Sequence, residues 1–152
     1  MEASSQTNGA RVVALTPSTA HRAELPAPIS EGTARLLGVL AIVGIALIHI
    51  LDAVDTYHGT RWIFWAYMGL IALAIPAAMS LLHWSSPLAW AAAAVVAAGP
   101  LVAYLWSRSI GLPGDAADVG NWLCTLGMAA LFVEGSLLAL SITRFRIGGW
   151  SR

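Results

Sequence analysis

Four side chains that can bind a metal ion lie close together in the sequence. His49, Asp52, Asp55 and His58 follow one another at intervals of three residues. In a helix, this spacing places the first three on one face, with His58 just beyond them. Imidazole and carboxylate groups are ligands of Zn²⁺ and Cu²⁺, so one interpretation is a metal site. The sequence has no HxxxH or HExxH pattern to support that interpretation further.

The alternative interpretation of the same residues is ion pairing. Arg61 and Arg108 are the only arginines in the segments predicted to connect helices at this end. Ionisable side chains within a membrane are rare and usually paired, and pairing alone would explain the two aspartates. We therefore expect Arg108 to pair with Asp52 or Asp55, Arg61 to pair with an aspartate on the same side, and His49 to bond a partner between helices.

Glu134 is a second candidate, because it is an acid within a long apolar segment that begins near Trp122. Counting about 1.5 Å per residue from that start puts Glu134 near the bilayer midplane, where we expect no arginine or histidine to reach it. One interpretation is a proton or cation relay. The other is a protonated acid that donates to a carbonyl freed by Pro76 or Pro100. A single acid without a chain of partners favours this structural interpretation.

The sequence predicts no cofactor and does not favour an enzyme. A haem held by two histidines would need His49 and His83 at one depth, but the same residue count separates them by about 20 Å. Cys124 is the only cysteine, which excludes an internal disulfide and a CxxC pair. We find no nucleophile with a base at a plausible spacing, no pair of carboxylates at one depth and no cofactor-binding loop.

The composition places these candidates in a membrane protein. Of the 152 residues, 58% are hydrophobic and 11% are charged, whereas about a quarter are charged in soluble domains. Four segments reach the length of about 20 residues that a helix needs to cross a bilayer. The sequence therefore predicts an all-α fold, an integral membrane up-and-down four-helix bundle over residues 33–143. Its spans are 34–54, 62–82, 88–106 and 122–142.

Arginines predict how the bundle is oriented. Most of them flank the predicted bundle, at positions Arg11, Arg22, Arg35, Arg144, Arg146 and Arg152. Because basic residues are enriched on the cytoplasmic side, both termini are predicted to be cytoplasmic in a multi-pass protein of the bacterial plasma membrane. Residues 1–32 are then a disordered cytoplasmic tail, and residues 144–152 a short one. The net charge of zero, without a basic run, argues against a nucleic-acid partner.

Two functions are compatible with these features. The first is an accessory or structural protein of the lipid bilayer, with other membrane subunits or a second copy as partners, because its small residues allow close helix packing. The alternative is a small solute, proton or metal-ion handling protein. It would use Glu134 and an outer polar cap formed by His49, Asp52, Asp55, Arg61 and Arg108. This alternative requires an aqueous cavity that joins the cap to Glu134.

The segment before the last predicted helix carries a family resemblance. Residues 107–113, SRSIGLP, resemble the SR(T/S)xGLP loop of uncharacterised bacterial four-span integral membrane proteins. In that group a glycine-containing stretch and a helix with a glutamate follow the loop, and Glu134 fits the glutamate's position. Ser109 replaces the usual threonine, and GDAADVGNW stands where the group often has G-P and P-E. The resemblance implies the four-span architecture and the loop, and it implies no activity.

Overall fold

The computed structural model describes residues 29–84 and 86–149. Four α-helices account for most of this part of the chain: α1 Glu31–His58, α2 Arg61–His83, α3 Pro87–Ser109 and α4 Thr125–Gly149. Each helix is long and apolar enough to cross a membrane. The all-α, four-helix prediction is therefore confirmed. Most of the predicted tail at 1–32 lies outside the described residues, as do positions 150–152 of the second tail.

Two helix boundaries differ from the prediction in ways that change the site. α1 continues to His58, beyond the predicted end at residue 54, and α4 begins at Thr125 instead of residue 122. α4 also extends to Gly149, so residues 144–149 are helical. The reason is that hydropathy marks the part of a helix that lipid can surround. Backbone hydrogen bonds carry the helix further through polar residues.

The helices form an up-and-down bundle. The start of α1 meets the end of α2, because Arg35 Nε donates to the carbonyl oxygen of Leu81 at 2.5 Å. The start of α1 also meets the end of α4, where Arg144 lies 3.3 Å from Glu31. α1 packs most extensively against α2, and α3 against α4, whereas α2 and α4 have no close backbone contact within the described ranges. α1 and α3 are therefore diagonal neighbours in a four-membered ring.

Apolar packing is concentrated in the half of the bundle where α1 begins, which we call the terminal half. Its buried side chains are Ala34, Ile42, Ile45, Ala74, Ala77, Leu81, Ala89, Trp90, Ala93, Val96, Ala97 and Leu137. Tryptophans near the ends of membrane-spanning helices usually lie at the membrane surface, but the Trp90 side chain is only 3% exposed. Gly38 explains the difference, because a Cβ there would lie 3.2 Å from the Trp90 ring. The glycine therefore leaves room for the indole inside the bundle.

Candidate functional site

A cavity of about 650 Å³ lies in the other half of the bundle, which we call the loop half. All four helices and the α3–α4 loop line it. Its chargeable side chains are His49, Asp52, Asp55, Tyr67, Tyr104, Arg108, Asp115, Asp118, Cys124 and Glu134. Pockets that hold small ligands measure about 300–1,000 Å³. The predicted outer cap and Glu134 therefore share one cavity, with the exception of Arg61.

His49 and Glu134 form the floor of the cavity, and we call them the floor pair. His49 Nε2 lies 3.8 Å from Glu134 Oε1, and Glu134 is only 1% exposed. The prediction that no histidine reaches Glu134 is therefore wrong. Because α1 ends at His58 and α4 begins at Thr125, each member of the pair lies nine residues from the loop end of its helix. The two shifted helix boundaries bring them to the same depth.

Hydrogen bonding restricts the protons of the floor pair. His49 Nδ1 lies 2.8 Å from the carbonyl oxygen of Ile45, which can only accept, so Nδ1 carries a hydrogen. In the neutral ring, Nε2 is then an acceptor that faces Glu134. Glu134 Oε2 has no hydrogen-bond partner among the described residues, so the expected bond to a carbonyl freed by Pro76 or Pro100 is not formed. Because 3.8 Å is too long for a hydrogen bond, a single proton on the floor pair lies either on His49 Nε2 or on Glu134.

A tyrosine that sequence reasoning missed connects the floor pair to the upper cavity. The Tyr67 hydroxyl donates to Asp52 Oδ2 at 2.5 Å, and its ring meets the His49 ring edge to face at 4.9 Å. Tyr67 could have been identified as a tyrosine within an apolar segment, because a buried hydroxyl there needs a hydrogen-bond partner. Asp52, Tyr67, His49 and Glu134 thus form a continuous polar line down the cavity wall.

Arg108 lies under the α3–α4 loop and is paired with a residue of that loop. Its guanidinium forms an ion pair with Asp118, lies 4.8 Å from the centre of the Tyr104 ring, and contacts Cys124 Sγ at 3.5 Å. The predicted pairing with Asp52 or Asp55 is therefore wrong. Asp52 accepts from Tyr67 instead, and the loop folds back so that Asp118 is the nearer carboxylate. Arg108 is 8% exposed, and its Nε has no hydrogen-bond partner within the described segments.

The two outer members of the predicted metal cluster diverge from His49. A spacing of three residues falls about 60° short of a full helical turn at each step. His49 is therefore buried, Asp55 is exposed at the cavity rim, and His58 lies outside the cavity against the Tyr57 ring at 5.2 Å. In the described part of the chain, no three His, Cys, Asp or Glu side chains are grouped closely enough to hold a metal ion. The metal site stays a prediction without a preformed set of ligands.

Arg61 does not join the cap in the way the sequence predicted. Its guanidinium lies 6.0 Å from the centre of the Tyr57 ring, and it forms no ion pair with any described residue. Arg61 begins α2 and is exposed. A charge at the helix end can remain in water, so it needs no carboxylate partner.

The loop between α3 and α4 lies across this end of the bundle. Trp62 Nε1 donates to the carbonyl oxygen of Pro113 at 2.8 Å, which joins the loop to the start of α2. The amide of Gly120, at φ +80°, donates to the carbonyl oxygen of Arg108 at 2.9 Å and folds the loop back on α3. Asp118 and Asn121 lie too early to cap the last helix, because α4 begins only at Thr125.

No family model, curated protein or solved structure matches this chain. Function must therefore be inferred from the geometry and chemistry of the cavity. The resemblance in the SRSIGLP segment stays a prediction.

Proposed function

We propose that this chain is a small multi-pass membrane protein that binds a small solute in the cavity of its loop half. The observation that carries the proposal is that one cavity reaches from Asp52 and Arg108 to the buried Glu134. A bundle that was tightly packed between these levels would have had no room for a solute. A purely structural accessory role does not account for the charged side chains that line this cavity, so we place that role second.

Two buried polar groups support solute binding. Arg108 Nε and Glu134 Oε2 have no hydrogen-bond partner among the described residues, and both side chains line the cavity. Burying such groups without partners is costly, and a bound polar molecule or water would satisfy them. The cavity therefore presents unused hydrogen-bonding capacity at two levels.

The closed terminal half favours binding from one side of the membrane. Below the floor pair, the centre of the bundle is packed with buried side chains such as Ile42, Ile45 and Leu137. Most arginines flank the bundle near the termini, and we infer from the positive-inside tendency that the termini are cytoplasmic. On this proposal, the cavity opens to the outside of the plasma membrane.

The single cysteine allows the proposal to be tested. Cys124 lines the cavity, so we expect membrane-impermeant thiol reagents to modify it in intact cells. In a Cys124→Ala background, Ala97→Cys is the matched control, because Ala97 is 0% exposed in the terminal half and its thiol should not react. At least one class among small amines, carboxylates and sugars should slow the reaction at Cys124.

Two results would contradict the proposal. One is a Cys124 thiol that reacts only after the protein has been denatured. The other is an accessible Cys124 whose reaction no solute class slows, because that cavity would be open but would bind none of the solutes tested. Leu123→Cys in the Cys124→Ala background, whose position is exposed, controls for effects of solutes on the reagent itself.

A further inference from the structure

We propose that the cavity takes an organic monocation, and that binding of the cation releases one proton from the pair formed by His49 and Glu134. This inference rests on the proposed function and names the ligand class of the same site. Three observations carry it: the charge of the lining, the aromatic walls, and the buried floor pair.

The lining carries more negative than positive groups. Five carboxylates line the cavity, against one guanidinium: Asp52, Asp55, Asp115, Asp118 and Glu134, against Arg108. Arg108 is already paired with Asp118 and lies over the Tyr104 ring, so little of its charge is available to an anion. A cleft lined mainly by one sign of charge concentrates ions of the opposite sign. The lining therefore favours a cation even when Glu134 is protonated.

The walls favour an organic cation over a metal ion. Trp62, Tyr67 and Trp106 line the cavity, and the faces of such rings attract alkylammonium groups within about 6 Å of the ring centre. Apolar side chains including Ile63, Leu112 and Leu126 complete the walls. A metal ion would need several oxygen or nitrogen ligands at one point. No group of three suitable side chains occurs in the described segments.

The floor pair provides a counter-charge. With one proton on either member, the pair is neutral overall, either as a carboxylic acid beside imidazole or as a carboxylate beside imidazolium. Loss of that proton leaves a carboxylate beside neutral imidazole, because His49 Nδ1 keeps its hydrogen for the Ile45 carbonyl oxygen. The unpartnered Glu134 Oε2 can then face the cation. One positive charge enters the cavity as one proton leaves it, so the charge of the site is conserved.

Other titratable groups face the pair from each neighbouring element. Asp52 on α1 and Tyr67 on α2 lie next to His49 and are bonded to each other. Arg108 on α3 and Asp118 in the loop are paired with each other, and Cys124 contacts Arg108. Asp55 and Asp115 line the same cavity. Because Asp52 is bonded to Tyr67 and Arg108 is paired with Asp118, the floor pair is the group whose proton a cation can replace.

Tetraethylammonium is a suitable probe, because it has no proton to lose. We expect it to bind the purified protein in lipid nanodiscs and to slow modification of Cys124. Calorimetric titration in two buffers of different ionisation enthalpy should show release of about one proton per bound cation. The dissociation constant should then fall about tenfold per unit rise in pH while the pair is protonated.

Matched variants distinguish the loss of the Glu134 carboxylate from a general loss of stability. Glu134→Gln should bind tetraethylammonium at least about tenfold more weakly and release no proton. Glu31→Gln is the same substitution at the other end of the bundle, where Glu31 contacts Arg144, and it should retain both properties. If Glu134→Gln fails to fold, the pH dependence of the dissociation constant of the native protein still shows whether binding releases a proton.

The outcomes distinguish this inference from the proposed function. Binding of tetraethylammonium without proton release overturns the role of the floor pair. Protection of Cys124 by acetate or a sugar, but not by tetraethylammonium, overturns the cation class and leaves solute binding intact. Protection by no solute contradicts both proposals.

Discussion

At the upper end of the cavity, the buried guanidinium of Arg108 has one carboxylate partner among the described residues. Asp118 supplies it from the α3–α4 loop, and the Asp118 side chain is 37% exposed. Removing one partner of a buried ion pair leaves the other charge poorly compensated, which costs more than an exposed pair contributes. Partial exposure of Asp118 reduces this effect, because water can replace some of the lost interaction. Arg108 should therefore depend measurably on Asp118 for its buried position.

Asp118→Asn tests that dependence. We expect the free energy of unfolding in mild detergent to fall by about 1–2 kcal/mol, because the neutral amide cannot compensate the Arg108 charge. The control is Asp55→Asn, since Asp55 is an exposed carboxylate at the rim of the same cavity. An exposed substitution of this kind should change stability by less than about 0.5 kcal/mol. Equal losses in the two variants would show that the ion pair does not stabilise the fold.

At the scale of the helices, the first turn of α4 packs very closely against α3. A Cβ added at Gly127 would lie 2.5 Å from Tyr104 Cε2 and 2.6 Å from Cys124 Sγ. Tyr104 is also fixed at its hydroxyl, which donates to the carbonyl oxygen of Trp122 at 2.9 Å. Its ring cannot move aside without breaking that bond and leaving Arg108. Gly127 is therefore required where α4 meets the upper part of α3.

A pair of substitutions on α4 examines this contact. Gly127→Ala should destabilise the protein by about 1–3 kcal/mol through overpacking. Gly135→Ala is the control, because a Cβ there meets nothing within 4 Å, and alanine should stabilise the helix by up to about 1 kcal/mol. Thermal unfolding of both variants in one detergent gives the comparison. A stable Gly127→Ala variant would mean that the two helices can separate at low cost.

At the scale of the whole molecule, the apolar terminal half and the polar loop half lie at opposite ends of the bundle, so solutes can enter the cavity from only one side of the membrane. All four helices contribute to both halves, so the halves cannot fold as separate domains. The cavity and the two polar connections lie at one end, and the chain enters α1 and leaves α4 at the other. The orientation of the termini therefore determines the access of solutes.

Reporter fusions test this orientation. A fluorescent protein fused after Arg152 should fold and fluoresce, whereas alkaline phosphatase at the same position should remain inactive, because we propose that the terminus is cytoplasmic. A phosphatase inserted after Gly114, an exposed position in the α3–α4 loop, should be active in contrast. The opposite pattern would place the cavity on the cytoplasmic side and would contradict the proposed access route.

By itself, the amino-acid sequence determined the class of the protein. Four long apolar segments predict four membrane-spanning helices, because lipid offers no partners to an unpaired backbone. The chemistry-bearing residues were also identifiable, since His49, Asp52, Arg108 and Glu134 are polar residues in or beside apolar segments. Short connections were enough to predict that neighbouring helices run in opposite directions.

Only the tertiary structure decided which of these residues meet. Hydropathy does not reveal that α1 continues to His58 or that α4 begins only at Thr125. These boundaries place His49 at the same depth as Glu134. The fold of the loop places Asp118 beside Arg108, although the charge of Asp52 made it an equally plausible partner for Arg108. Polar contacts depend on separations of a few ångströms. A shift of two residues along a helix moves a side chain by about 3 Å and turns it by about 200°.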